Sequence, residues 1–474
     1  MHSTARLSAR PRVPGKAGTN EEDDVTRRAR LSSAAWCLTA TVALSAPDAQ
    51  NHFLAVDGTT KLAAGDGSTA KPFATIGAAF EAAQPGDTIK VARGTYAEAL
   101  RANKSLHLVG GFKGNGDFES SDRGASPTII RGTGTNTVLE FRGASWLSIV
   151  GFNITGGIRG LDLIGCSNIT VSNNVIEGNG PADNKDSYFY GGGIRLVGGS
   201  NITIACNEIV GNRAGDGGGI AYRRGSPVVE VSIHGNRLAR NVSYGEHGGG
   251  MFINGSGTIE DNLIENNEGP YGAGIFIDGG VFRCSRNVVR NNSSHGIFII
   301  DYSKRGQDIR QTLDHNLVYG NREGIATFWG SLRIVNCTVA DNPGGNLTKR
   351  DDPNLKLEIV NSIFGRPGLN PAGCAVSYTL SPAEIPGAGN LKGDPLFAKP
   401  EGPLPDYHLK SAAGRWDPAA RNGAGDWVKD EVTSPALDAG DPTSDYAREP
   451  APNGGRVDLG FYGNTPQASK SREP

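Results

Sequence analysis

One feature limits what this chain can fold into more than any other. An asparagine followed two residues later by an aliphatic recurs at Asn174, Asn207, Asn236, Asn262, Asn287 and Asn316, in steps of 33, 29, 26, 25 and 29 residues. Three residues before each asparagine stand Val171, Ile204, Ile233, Ile259, Cys284 and Leu313, and five before stand Ile169, Ile202, Val231, Gly257, Phe282 and Gln311. That is period-two alternation with one face turned inward. A second asparagine follows in every unit, at Asn179, Asn212, Asn241, Asn267, Asn292 and Asn321. A loop of variable length then leads to a glycine run at Gly191, Gly217, Gly248 and Gly272, shortened at Gly296 and Gly324.

Repeats of this length define a solenoid. The units are strand-sized and carry no helical period, so the solenoid is all-β. Strands joined by Asn and Gly corners, with no hairpin signals between them, give a parallel β-helix with coils ~4.8 Å apart. Asparagines then stack and hydrogen-bond up each corner, and glycines supply positive φ. Cys337 and Ser362 take the asparagine slot in the next two turns, with Ile334 and Ile359 three residues earlier. The triplets at Asn168 and Asn241 match glycosylation acceptors but read as ladder asparagines. The chain has 68 glycines in 474 residues, too many for a helical protein, without the period of collagen. A formal charge of −2 gives no basic excess, so nucleic acid is not an expected partner. The six cysteines form no CxxC pair, which leaves no zinc or redox motif; most fall at column positions suited to a small buried hydrophobe.

Taken in order, residues 1–24 are unpatterned and read as a disordered tail or a mis-called start. Residues 25–50 read as a signal peptide: Arg27-Arg28-Ala29-Arg30 precedes an apolar stretch from Ala34 to Leu44, too short to span a membrane. A secreted or cell-surface location with no transmembrane segment is therefore expected. Residues 51–364 form the solenoid. Thr75 caps a short helix to Ala83 with Ile76, Ala79 and Phe80 on one face, and that helix plugs the open end of the stack. Ile89 to Val91 starts the first coil. Residues 365–474 lose the repeat and are expected to pack on the solenoid as an irregular region.

Phe53-Leu54-Ala55-Val56-Asp57-Gly58, Gly65-Asp66-Gly67-Ser68, Lys71-Pro72-Phe73-Ala74-Thr75-Ile76 and Gln84-Pro85-Gly86-Asp87-Thr88-Ile89 together resemble the opening of many secreted right-handed β-helix proteins. The runs Asp406 to Lys410, Ser434 to Pro442 and Glu449 to Arg456 resemble the tail of bacterial surface proteins of the pectate-lyase-like superfamily, some of which carry a choice-of-anchor domain. The resemblance covers residues 52–465 and implies a right-handed helix that binds polysaccharide along a strand face.

Aligned on the residue that ends each glycine run, Arg195, Ala221, Phe252, Phe276, Phe298 and Ala326 point outward, and Leu196, Tyr222, Ile253, Ile277, Ile299 and Thr327 mostly inward. Before the glycines stand Tyr190, Asp216, His247, Tyr271, His295 and Glu323. A phenylalanine row beside such groups suits a sugar chain, provided residues 365–474 do not cover it. A lyase acting on a uronate needs a base and a cation: His247, Tyr271, His295 and Lys304 are the candidate bases, and Arg223, Arg224 and Arg305 the candidate neutralisers. A hydrolase needs two carboxylates, and adjacent coils put Asp216 and Glu246 ~5 Å apart, the retaining separation. The substrate-binding set is Tyr190, Arg195, Asp216, Arg223, Glu246, Phe252, Phe276, Phe298 and Arg305. Three functions fit: β-elimination on a uronate-containing polysaccharide, which is favoured, a non-catalytic glycan- or partner-binding surface protein, and a glycoside hydrolase. No cofactor is required; calcium is possible but not indicated, since an Asp cluster of the calcium-dependent pectate lyase kind is not evident at one place. The sequence sets no oligomeric state.

Overall fold

The computed structural model describes residues 52–60, 65–183, 186–225, 230–301, 311–329, 331–350 and 355–471. The expected tail and signal peptide, and the candidates Lys304 and Arg305, lie outside these residues.

Among the described residues the strands form three large parallel sheets of 13, 13 and 10 strands, each made of one short strand per coil. The chain passes from the 10-stranded sheet to the first 13-stranded sheet, turns at the first asparagine, crosses the second 13-stranded sheet, turns at the second asparagine, and returns through the loop and glycine run. Register follows the sequence repeat. Ile169, Ile202, Val231, Gly257, Phe282 and Gln311 are successive partners in the first 13-stranded sheet, as are Val171, Ile204, Ile233, Ile259, Cys284 and Leu313. Both rows sit in one continuous core with Ile176, Ile209, Leu238, Ile264, Val289 and Val318 from the second. A strand is held in this register because slipping by one residue would turn its aliphatics to solvent.

The corners are two buried hydrogen-bonded ladders. Asn174 Nδ2 donates to Asn207 Oδ1 at 3.1 Å, and the chain of amides continues through Asn236, Asn262, Asn287 and Asn316. The second ladder runs from Asn179 through Asn212, Asn241, Asn267, Asn292 and Asn321 to Asn342. Each side chain also bonds the backbone of a neighbouring coil, so the turn's orphan amides and carbonyls are satisfied without water. Asn168 belongs to neither ladder; it accepts from Asn201 at 2.8 Å on the exposed surface. The first glycine of each run has φ between 55° and 68° at Gly191, Gly217, Gly248 and Gly272. The last glycine is needed for closeness: a Cβ on Gly219 would lie 2.5 Å from the Gly250 carbonyl oxygen of the next coil.

The helix runs from Ile76 to Ala82 with Thr75 as its N-cap and Ile76, Ala79 and Phe80 buried. It closes the end of the stack, with Phe80 and Phe141 rings 6.1 Å apart. Two boundaries differ from the sequence reading. Phe53–Val56 pairs in parallel with Thr88–Ala92, so the first sheet begins one strand earlier than Ile89. At the other end the stack continues past Phe364 through Ala375–Ser377, Leu380–Ser381 and Leu391–Lys392. The repeat is lost there, yet Asn390 still accepts from the Thr379 amide and donates to the Val376 carbonyl, doing the work of a ladder asparagine from a different place in the chain.

The remaining C-terminal residues pack on the outside of the second 13-stranded sheet. Tyr319, Ala340 and Ile363 of the coils form a separate cluster with Phe397, Tyr407, Leu409, Ala436, Leu437 and Leu459. Tyr407 Oη donates to Asp341 Oδ2 at 2.9 Å. This region therefore lies on a different face from the 10-stranded sheet that carries the candidate residues.

Candidate functional site

The residue that precedes each glycine run is fixed by the loop behind it and the backbone pairs ahead of it. Tyr190 bridges to Asp216 and His247 to Tyr271, and His295 pairs with Glu323. The Gly217 amide donates to the His247 carbonyl and the Gly274 amide to the His295 carbonyl, which joins the pairs into one column. Tyr271 stacks midway, its ring 6.3 Å from that of His247 and 6.3 Å from that of His295. The short loop before Gly296 does displace His295 along the backbone: Ile297 pairs with Ile275, which sets His295 opposite Ala273 and not Tyr271, though its ring still reaches that of Tyr271.

The phenylalanine row is a correction. Phe252, Phe276 and Phe298 do face away from the main core, but they are 6%, 2% and 2% exposed. They make a second apolar layer with Ala221, Ile300 and Ala326, roofed by the polar column itself. The His247 ring lies 4.2 Å from Phe276 and the His295 ring 4.7 Å from Phe298. These phenylalanines cannot stack a sugar; they form the floor on which the histidines sit. No residue of 365–471 belongs to this layer. The exposed rings are tyrosines, Tyr271 at 47% and Tyr188 at 78%.

A cleft of about 510 Å³ opens beside the column, lined by Tyr188, Tyr190, Asp216, Tyr244, Glu246, His247, Phe252, Phe276, Asp278 and Ile300 among others. Asp216 is its fixed point. It is 6% exposed, and its Oδ1 accepts from the backbone amides of Glu246 at 3.1 Å and His247 at 2.7 Å. The same oxygen lies 3.5 Å from His247 Nδ1, while His247 Nε2 lies 3.7 Å from Glu246 Oε2. His247 thus stands between a buried carboxylate and an exposed one, its side chain a quarter exposed. Burial pushes the Tyr190 hydroxyl upward from its ordinary value, against the pull of the Arg223 guanidinium 4.4 Å over its ring.

The other candidates sit differently. Arg195 grips Asp162 with Nε at 2.8 Å and a second nitrogen on the other oxygen, so its charge is spent. Arg223 and Glu246 are exposed. His295 is 9% exposed with Nε2 at 3.4 Å from Glu323 Oε2 and no hydrogen-bond partner for Nδ1. Burial pushes its pKa below the ordinary histidine value, against the pull of Glu323. His247, with Asp216, Glu246 and Tyr190, lines one opening, and Tyr271 stands beside His247 on the next coil; His295 is adjacent but tucked under.

Asp278 and Tyr244 line the cleft without having been singled out from sequence. Asp278 ends its strand in the same column as Arg223 and Asn254, and Asn254 donates to its Oδ2 at 3.0 Å. The signal was a polar residue three positions after the aliphatic in three consecutive coils, Arg223, Asn254 and Asp278, where the other coils have Val197, Ile300 and Phe328. Tyr244 gave no signal, since its position depends on the stacking of Ser187, Gly215 and Gly245 loops.

A family model described as right-handed beta helix region matches residues 137–342, and one described as disaggregatase related matches residues 376–440. No curated protein matches the chain. Among solved structures it is similar to pectate lyase Pel9A, at 15% identity over 88% of this chain and 97% of that one, with a TM-score of 0.48. It is similar also to an alginate lyase from Paenibacillus sp., at 15% identity over 58% and 94%, TM-score 0.37, and to a lacto-N-biosidase from Eubacterium ramulus, at 11% identity over 72% and 67%, TM-score 0.40. The chain is an all-β, right-handed parallel β-helix protein.

Proposed function

We propose that this is a polysaccharide-active protein of the cell exterior that works at the His247 cleft, cleaving a uronate-containing chain by β-elimination. The observation that carries the reading is His247, held by Asp216 beside an open cleft with the exposed ring of Tyr271 on the next coil. Tyr188 and Tyr271 offer flat apolar faces with a polar tip, the kind of surface a sugar ring covers. In the reaction His247 takes the proton alpha to the uronate carboxylate, Arg223 faces that carboxylate, and the electron pair left behind forms the ring double bond. The glycosidic C–O bond breaks, and its oxygen leaves as a hydroxyl with a proton from Tyr271. Both products keep all atoms of the chain, one end unsaturated and the other reducing. The location follows from residues 25–50 and the anchor-like tail motifs; no helix of the described residues is long and apolar enough to cross a membrane.

A second reading is glycoside hydrolysis, favoured by the three carboxylates Asp216, Glu246 and Asp278 in the same cleft. A screen on pectate, alginate, glycosaminoglycans and neutral glycans separates the two. Ultraviolet absorbance from unsaturated ends supports β-elimination, reducing ends alone support hydrolysis, and binding without either leaves a glycan-binding surface protein.

A further inference from the structure

The conspicuous tail motifs, Ser434 to Pro442 and Glu449 to Arg456, take no part in the cleft. With Asp458, two residues beyond the second, they bring three carboxylates together. One oxygen each from Asp438, Glu449 and Asp458 lies within 4.8 Å of the other two. Glu449 and Asp458 are 6% and 1% exposed, and Glu449 Oε2 and Asp458 Oδ2 are buried without any hydrogen-bond partner. Their other oxygens are committed. Glu449 Oε1 accepts from the amides of Asp458 at 2.9 Å and Asn464 at 2.8 Å, and Asp458 Oδ1 accepts from the Asp438 amide at 2.9 Å. Asp438 is braced in turn by the Gly454 amide at 2.8 Å and by the Ser471 hydroxyl.

Three carboxylates held this close with two bare buried oxygens need bound protons or a cation between them, because unpaired buried charge is strongly disfavoured. Among the described residues no lysine or arginine pairs with any of the three. The nearest guanidinium in the motif, Arg456, is turned to the Gly440 carbonyl at 2.9 Å instead.

We propose that Asp438, Glu449 and Asp458 form a binding site for a divalent cation of the calcium class, which pins the C-terminal region to itself and so to the second 13-stranded sheet. The donors are all oxygens, which selects a hard cation over zinc or copper. Asp438 is half-buried, which gives an entry path and room for water to complete the coordination. The three ligands come from segments separated by loops, so the ion would cross-link them. The Asp458-Leu459 segment packs directly into the apolar seam with the coils, and Ala436 and Leu437 flank Asp438 in the same seam.

The test uses the full chain, freed of metal with chelator and then titrated with calcium chloride. Calorimetry and thermal unfolding are read on the wild type, on Glu449→Gln/Asp458→Asn, and on Asp438→Asn. The wild type is expected to bind calcium and to gain stability, its folding constant rising about tenfold per decade of calcium above Kd. The double variant removes charge without changing shape, so in chelator it is expected to be at least as stable as the wild type and to lose the calcium response. Asp438→Asn is expected to shift Kd upward by at least about tenfold, the loss of one charged ligand. A wild type whose unfolding is indifferent to calcium overturns the proposal. So does a calcium response kept in full by either variant, which would locate the ion elsewhere.

Discussion

Replacing Asn267 tests how the coils are held. Asn267 is fully buried, and its Oδ1 accepts from both the backbone amide and the Nδ2 of Asn241, each at 3.0 Å. Its own Nδ2 donates to the Leu238 carbonyl at 3.1 Å and to Asn292 Oδ1 at 3.0 Å. In Asn267→Ala the Asn292 oxygen keeps a bond from the Asn267 backbone amide, and Asn241 Nδ2 keeps the Ile209 carbonyl. The Asn241 amide keeps nothing in its place, while the Leu238 carbonyl, inside a paired strand, loses only its side-chain donor. One buried backbone amide left unsatisfied costs about 1–3 kcal/mol, so the variant is expected to lose about that much. Asn267→Asp should lose more near neutral pH, because it removes the donor and adds a charge between two acceptors, and should recover partly in acid where the new carboxyl can donate. The control is Asn201→Asp in the exposed pair with Asn168, expected to change stability by no more than about 0.5 kcal/mol. Urea unfolding monitored by circular dichroism reads the midpoints at constant slope. An Asn267→Ala loss below about 1 kcal/mol, or an equal loss at Asn201, would refute the view that buried ladder bonds hold the corners.

Phe276→Ala should cost about 3–5 kcal/mol and Phe276→Leu less than about 1.5, measured by thermal unfolding, because the ring is floor and not ligand surface. Glu265→Gln should cost about 3–5 kcal/mol, since it leaves the buried guanidiniums of Arg237 and Arg290 without their shared carboxylate. Against burial, which raises it, those two arginines hold Glu265 below its ordinary value. Its contribution is therefore complete above a pH of about 4.5 and fades as pH falls through the lowered native value, so wild type and variant should converge in acid. His295 is lowered by burial, so charging it opposes the fold; stability should fall as pH drops below about 6.5, and His295→Gln should flatten that limb of the stability curve.

Much of this molecule was legible from residue spacing. The asparagines fixed both period and register, because a buried amide that bonds the coils above and below tolerates no slip, and the structure pairs Ile204 with Ile233 and Cys284 with Leu313 as the repeat requires. Thr75 announced the capping helix by local chemistry alone. What failed depended on what lies over a residue. Alternation says that Phe252, Phe276 and Phe298 leave the main core, but says nothing of the His247, Tyr271 and His295 side chains that fold down over them. Arg195 looked available because its partner Asp162 stands a full coil away. The stack outran Phe364 because Asn390, eleven residues after Thr379 rather than in its slot, supplies the corner bond. Asp438 and Glu449 were visible as motif residues, while Asp458, two residues past the second motif, and the convergence of the three were not.

The measurement closest to the central claim compares wild type, His247→Ala and Tyr271→Phe on a panel of uronate-containing polysaccharides, following absorbance of unsaturated ends, with thermal unfolding run on the same samples. The account predicts ultraviolet product from the wild type on at least one substrate. His247→Ala should reduce it at least about a hundredfold, the usual worth of a positioned general base, and Tyr271→Phe comparably, both with the fold intact. Product formed at wild-type rate by a folded His247→Ala protein would contradict it, as would a wild type that releases no unsaturated ends from any of them.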